Sequence, residues 1–391
     1  MKELLYVVPA MFPYGWAYAS RALNISRLAT TAGYHVTVLC DYLSDSIQWT
    51  EEGISQFENI SIVTTTSKYA SLRTIWDKLR VGFIIGKSIN RYLENHHVDL
   101  IVCPMTGGKF PKVKRVARKH RIDIVLEICE WYAPSNWKFA KFDPRYWQFQ
   151  YSWKYIFPKE QNVICISRLL KKHFTDKGAR TIRIPTILDI NNIQYKKYSS
   201  LNSPIKLVFI GGITGGKDEL SALIELVCEN NLPFSIEIYG PSEEAVIETL
   251  DCSKIEKEKL KEKVHVHGYV AQEELSRKIL ECDFGIIIRP DRRSSHAGFP
   301  TKLGEYFAAG LPVLANDTGD IGLYLKDGEN GFVMRGNQKN DILEVLERVL
   351  SINDQDYHVM STSARITADT NFNYSQYVSR FRKFMERSSK S

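Results

Sequence analysis

Short apolar runs alternate with helix-like segments along this chain, and they do so twice over. Leu4–Pro9, His35–Cys40, Asp99–Pro104, Asp123–Ile128 and Asn162–Ser167 read as strands with almost no polar interruption. Between them stand the amphipathic Ala19–Ala32, closed by Gly33, the helix-like Ser71–Asn95, and the basic Lys112–His120. Strands that are apolar on both faces need cover on both faces, which predicts a parallel sheet wrapped by helices. A polar, Ser/Asn-rich stretch at Tyr195–Pro204 interrupts the rhythm. It then restarts with Lys206–Gly211, the helix Glu219–Asn230, Phe234–Tyr239, a helix opened by Pro241, His265–Gly268, the helix Glu273–Cys282 and Phe284–Ile288. The expectation is an α/β chain of two doubly wound domains, 1–200 and 201–371, followed by a basic helical tail. At 391 residues each domain is long enough to bury its own core.

Two such sheets would suit a dehydrogenase, an epimerase or a transferase, so the turns after the strands must choose. The first strand runs into Pro9-Ala-Met-Phe-Pro-Tyr-Gly15, where a nicotinamide enzyme would carry G-x-G-x-x-G, and no P-loop motif occurs. In the second half, Phe209-Ile-Gly-Gly-Ile-Thr-Gly-Gly-Lys217 is a strand, a glycine turn and a lysine. Glycines let the backbone approach a phosphate, and the lysine adds a point charge. Ile286–Pro290 places Arg289 at the carboxyl end of a strand, where open α/β sheets meet their ligands.

The most informative stretch is Gly298-Phe-Pro-Thr-Lys-Leu-Gly-Glu-Tyr-Phe-Ala-Ala-Gly-Leu-Pro-Val313. A Gly/Pro turn feeds a short helix that ends at Gly310, and the strand Pro312–Ala315 follows. Free amides at the helix start suit a phosphate. Glu305, about one turn in, can accept hydrogen bonds from both hydroxyls of a ribose. Together they describe a site for a nucleotide diphosphate.

This segment resembles the nucleotide-sugar site of the GT4-type glycosyltransferases, which have the GT-B fold. The resemblance extends to His265-Val-His-Gly-Tyr-Val270, Asp317-Thr-Gly-Asp320, Lys326–Phe332, Val163–Ser167 and Arg183–Asp189, in family order. It implies two Rossmann-like domains facing a cleft, with the C-terminal helix (372–391) packed back on the first. It implies a retaining, metal-independent transferase using a UDP- or, second choice, GDP-sugar. Glu130, Lys217 and Arg289 are the expected catalytic residues. Gly15, Gly212, Gly268, Tyr269, Val270, Phe299, Thr301, Lys302 and Glu305 are expected to bind the donor, with no metal ligands and no cofactor besides the co-substrate. Alternation puts Glu127 and Glu130 on opposite faces; Glu130 is preferred because it lies beyond the strand. The chain also departs from the pattern. The family's first glutamate falls at Ala297, Gly212 stands where an arginine is common, and Pro300 holds a position usually given to glycine.

Charge is uneven. Residues 1–200 hold 29 Lys+Arg against 16 Asp+Glu, a balance of +13, while the remainder holds 23 against 29, a balance of −6. A basic first half favours an acidic partner. With the resemblance, that predicts a polyprenyl-diphosphate-linked or glycan acceptor in bacterial surface-polysaccharide assembly. Residues 131–157 contain twelve aromatics, from Trp131 to Phe157. They fit either an interfacial surface or an aromatic core element. No apolar run approaches the roughly 20 residues that span a bilayer, and the seven cysteines show neither metal-ligand nor paired spacing. A cytoplasmic protein, peripheral at the inner face of the plasma membrane, is the expectation. The alternatives are a non-catalytic GT-B subunit that binds a sugar or partner enzyme, and an epimerase. Nucleic acid is not expected as a partner, since no recognisable module accompanies the basic half.

Overall fold

The computed structural model describes residues 1–15, 17–44, 47, 54–65, 75–104, 108–132, 134, 142–197, 200–213, 218–250 and 255–388. The chain divides into two compact units, one of residues 1–130, 137–187 and 374–391, the other of residues 131–136 and 188–373. The break after Ile187 comes earlier than the linker composition predicts, because Leu188 already hydrogen-bonds Phe372 of the second unit (Leu188 N–H to Phe372 O, 2.7 Å).

In the first unit the strands are β1 (Lys2–Phe12), β2 (Tyr34–Leu43), β3 (Ile54–Phe57), β4 (Ile60–Thr64), β5 (Leu100–Pro104), β6 (Asp123–Ile128), β7 (Asn162–Cys165) and β8 (Arg180–Arg183). They form a sheet in the order β3-β4-β2-β1-β5-β6-β7-β8, parallel throughout except for the β3–β4 hairpin at the edge. Helices α1 (Ala17–Thr31), α2 (Ile75–Asn95), α3 (Phe110–Lys119), α4 (Pro144–Tyr151) and α5 (Arg168–Thr175) belong to the same unit. The aromatic segment divides between core and surface. Phe149, Trp153 and Phe157 are buried, whereas Trp147, Tyr151 and Tyr155 are exposed.

The second unit carries β9 (Ile205–Ile210), β10 (Phe234–Tyr239), β11 (Val264–Gly268), β12 (Phe284–Ile287), β13 (Val313–Asn316) and β14 (Gly331–Met334). All neighbours pair in parallel, in the order β11-β10-β9-β12-β13-β14. This is the 3-2-1-4-5-6 order of doubly wound nucleotide-binding sheets, and its direction reverses between β9 and β12. Its helices are α6 (Ser221–Glu229), α7 (Glu243–Ile247), α8 (Lys257–Lys263), α9 (Gln272–Leu280), α10 (Arg293–Ala297), α11 (Thr301–Ala308), α12 (Lys339–Leu350) and α13 (Asp354–Asn371). Leu207, Phe209, Ile236, Ile238, Phe284 and Ile286, fully buried, form the centre of its core.

After α13 the chain rejoins the first unit as α14 (Val378–Ser388). Phe381, Phe384 and Met385 enter the first unit's core, and Arg382 Nε donates to Ala32 O at the end of α1 (2.9 Å). Six cysteines are free among the described residues, all but the half-buried Cys129 being buried. Burial pushes the Cys165 and Cys282 thiols up to about 12, which leaves them protonated and inert. No helix among the described residues is long and apolar enough to cross a membrane.

Candidate functional site

The site grows from the reversal point of the second sheet. β9 and β12 pair only at Leu207–Phe284 and Val208–Gly285, then part. Tyr306, on α11, fills the gap. Its hydroxyl accepts from Ile210 N–H (3.0 Å) and donates to Val208 O (3.1 Å), replacing the ladder bonds the strands lose on parting. The ring fits because residue 285 is glycine; a Cβ there would lie 2.3 Å from it. Gly285→Ala is therefore expected to displace α11 and cost about 3 kcal/mol by overpacking, read as a lower urea midpoint for the second unit.

With Tyr306 seated, the rest of α11 is positioned. Lys302, one turn earlier, sends its Nζ over the Phe209 ring (3.8 Å) and onto Asp218 Oδ2 (2.8 Å). It also lies beside Gly211, where a Cβ would come within 3.6 Å of the ammonium. Gly211 has φ of +122°, a conformation glycine adopts without strain. Burial pushes the Lys302 ammonium down from its ordinary range, and Asp218 pulls it back up. Glu305 is half-buried on the same helix. Burial holds its carboxyl above the usual range, and Lys302 acts against that shift. Thr301 is the first residue of α11, where helix amides have no partner within the helix.

Arg289 lies just past β12 and is 5% exposed. Its N–H donates to Asn316 Oδ1 (2.8 Å), and Asn316 Nδ2 returns a bond to Arg289 O (2.7 Å), tying the ends of β12 and β13. Its Nη1 donates to Ser295 O (2.8 Å), which fixes α10. Two polar atoms in this neighbourhood, Asp218 Oδ1 and Ser295 Oγ, are buried without a hydrogen-bond partner among the described residues. Buried polar groups are usually hydrogen-bonded, so each such atom calls for a partner.

The ends of β9, β10 and β11 are drawn together by glycines. Gly240 N–H donates to Gly268 O (2.7 Å), and a Cβ on Gly240 would meet Gly211 O at 2.8 Å. Tyr239 stacks on His267 (4.4 Å, 10°), whose Nε2 lies 2.7 Å from Glu237 Oε2. Beyond them Tyr269 is exposed and Val270 half-buried.

The second unit thus gathers Gly212, Thr301, Lys302 and Glu305 around β9 and α11, Arg289 at the end of β12, and Gly268, Tyr269 and Val270 at the end of β11. Phe299 contributes only backbone, because its ring packs on Tyr324 (5.5 Å) and Phe372 (5.9 Å) in the core. Lys217 lies outside the described residues. Gly15 and Glu130 belong to the first unit, Gly15 exposed between β1 and α1, Glu130 half-buried past β6. Glu127 is fully buried and engaged by Arg21 Nε (2.8 Å) and Tyr6 OH (2.5 Å), a structural pairing. Asp218, Asn316 and Tyr306 escaped the sequence reading. So did the contact of His296 Nε2 with Asp291 Oδ1 (2.5 Å), beside the buried Ala297. No group of three or more potential metal ligands occurs among the described residues.

Residues 192–367 match the family described as Glycosyl transferases group 1. Among solved structures, the chain superimposes on sucrose-phosphate synthase from Thermosynechococcus elongatus with a TM-score of 0.76 at 12% identity, covering 99% of each chain. It matches HepE of Anabaena, solved with UDP and glucose, with a TM-score of 0.69 at 14% identity, covering 99% of this chain and 100% of that one. It also matches WaaG, a glycosyltransferase involved in lipopolysaccharide biosynthesis, with a TM-score of 0.65 at 16% identity, covering 97% and 98%. No curated protein matches the sequence. The match to the group 1 glycosyl transferases falls within the second unit, and the chain as a whole has the GT-B fold of these solved structures.

Proposed function

We propose that this protein is a retaining glycosyltransferase that moves a sugar from a UDP-sugar to a glycan or lipid-linked acceptor in bacterial surface-polysaccharide synthesis. The observation that carries the reading is the reversal point of the second sheet. There Lys302 and Arg289 place fixed cations at the strand ends, and Glu305 stands one turn along the helix whose amides open beside them. Glu305 accepts from the ribose hydroxyls, and Thr301 N–H with Lys217, Lys302 and Arg289 holds the diphosphate. When the glycosidic bond breaks, negative charge grows on the β-phosphate. Preorganised cations and helix-terminus amides stabilise that charge without reorganising, which is what lowers the barrier. In this reading the chemistry needs no metal. The acceptor hydroxyl passes its proton to the departing phosphate on the same face, which preserves the anomeric configuration, and Glu130 positions the acceptor. The buried Asp218 Oδ1 and Ser295 Oγ are available to donor hydroxyls. UDP is preferred because HepE was solved with UDP-glucose. A lipid-linked acceptor fits the basic first half and a location at the inner face of the plasma membrane.

Calorimetric titration of UDP, GDP and ADP, each with and without EDTA, tests the donor assignment. Chelator-insensitive binding of UDP is the expected result. NMR of the product formed from UDP-sugars then reads the anomeric outcome. A protein that binds none of the three nucleotides sinks the transferase reading. It would favour a non-catalytic subunit, to which the alanine at position 297 already lends some support.

A further inference from the structure

We propose that Asp291, held in place by His296, reads the donor sugar, and that it selects a neutral hexose or N-acetylhexosamine over a uronic acid. The inference rests on the nucleotide site proposed above and carries it from the nucleotide to the sugar.

Arg289 fixes where the sugar must lie. Its Nη1 donates to Ser295 O (2.8 Å), so the cation assigned to the diphosphate touches the middle of α10. The sugar is bonded to that diphosphate, which places it against His296, the next residue, and the loop 290–292 that leads into the helix. From the other side, the turn after β13 presses on the same helix. Gly319 has φ of +67°, and a Cβ there would lie 3.0 Å from His296 O and 3.1 Å from Ser295 O. That close approach brings Gly319 N–H to His296 Nδ1 (3.2 Å). A ring nitrogen that accepts carries no proton, so the imidazole is the neutral tautomer with its proton on Nε2. Nε2–H then donates to Asp291 Oδ1 (2.5 Å). The backbone sets the ring, and the ring sets the carboxylate.

Asp291 is the one carboxylate between residues 289 and 298, and its side chain is 92% exposed. Its Oδ1 is taken by the ring, and its Oδ2 has no partner among the described residues. The two arginines that follow it are turned elsewhere. Arg292 reaches Glu219 (3.6 Å). Arg293 stacks over Trp131 (4.9 Å) and donates to Tyr132 O (2.9 Å), both of the same unit. Ser295 and Ala297 are buried. Asp291 is therefore the charge that this segment turns outward with an open oxygen. A neutral imidazole forms no ion pair with it, and a polar contact at a site this exposed stabilises the fold little. What the arrangement does is aim the carboxylate. Its oxygens only accept: they take hydrogen bonds from sugar hydroxyls or an acetamido N–H, and they repel a second carboxylate.

The test is calorimetric titration of the full chain with UDP, UDP-glucose, UDP-galactose, UDP-N-acetylglucosamine and UDP-glucuronate. The best neutral sugar nucleotide should bind Asp291→Asn about tenfold more weakly than the unmodified protein, the difference between a charged and a neutral acceptor. UDP-glucuronate should bind the same variant about fivefold more tightly, the relief of two unit charges roughly 4 Å apart in water. UDP itself should bind both proteins equally, which shows that the variant is folded. His296 acts by positioning: His296→Leu should copy the loss for the neutral sugar, and His296→Gln, which keeps a side-chain donor, should recover most of it. Failure of the unmodified chain to bind UDP would end the donor site and this inference with it. With UDP bound, a tighter grip on UDP-glucuronate than on any neutral sugar nucleotide, or sugar affinities indifferent to Asp291→Asn, would overturn this inference alone.

Discussion

With the donor site proposed above, Glu305→Ala is expected to lower UDP affinity on the order of 100-fold without loss of stability. A carboxylate that accepts both ribose hydroxyls makes two charge-assisted bonds, each contributing roughly 1.5–3 kcal/mol. Losing the pair, with water replacing part of it, leaves a deficit near 3 kcal/mol. Stability does not fall because burial already holds this carboxyl above its ordinary range, so its charge opposes folding. The same shift fixes the pH response. A group whose folded pKa is raised takes up its proton earlier as the solution is acidified. The folded chain is then stabilised relative to the unfolded one as pH falls through the raised value. Binding moves the other way, since a protonated carboxyl is a poorer acceptor. UDP affinity should begin to fall above the pH at which an ordinary glutamate titrates, and Glu305→Gln should flatten the profile in that window. Calorimetry at a series of pH values reads both effects. Equal affinity of the alanine variant and the unmodified protein would remove Glu305 from the site.

The largest effect on stability is expected in the first unit, at Arg21 and Glu127. Glu127 Oε1 accepts from Arg21 Nε (2.8 Å), and its Oε2 from Tyr6 OH (2.5 Å) and Tyr18 OH (3.3 Å). Arg21 continues to Pro185 O (2.8 Å) and Ile184 O (3.2 Å), so one guanidinium joins α1, β6 and the segment leaving β8. Both side chains are essentially sealed from solvent, at 3% and 0% exposure. Arg21→Leu strands a buried carboxylate and should destabilise the unit by about 3–5 kcal/mol. Arg21→Leu/Glu127→Leu should lose less than the sum of the two single changes, because neither charge is left alone. Urea unfolding of the four proteins closes the cycle. Strict additivity would mean the pair does not act as a unit.

The alternation of strands and helices was readable because parallel strands buried on both faces leave unbroken apolar runs; β6 and β10 have the bounds their sequences predict. The β3–β4 hairpin was not readable. Ser55 and Ser61 are buried strand residues of polar type, and they break the apolar signal. The edge strand β8, Arg-Thr-Ile-Arg, hides for the same reason. Within the site, the turn and helix from Gly298 onward could be read because their residues are contiguous. The Tyr306 bridge, the Asp218–Lys302 pair and the Arg289–Asn316 clasp could not, since each joins positions far apart in the chain. The aromatic segment resisted for another reason: both of its stripes are aromatic and both recur every four residues, so periodicity cannot tell the buried one from the exposed one.

The route of the chain through α14 has a consequence for synthesis. The first unit precedes the second in sequence, yet its core includes Tyr377, Phe381, Phe384 and Met385 from a segment made after the second unit. The second unit is continuous from Leu188 to Asn373 but for a short earlier segment, and its two ends already pair with each other. A ribosome therefore finishes the later unit first, while the earlier one waits on α14 with a groove of its apolar core uncovered. Domains usually mature in the order they emerge; here the order is reversed, and the interval before α14 arrives is when the nascent chain is most exposed to aggregation and to chaperones.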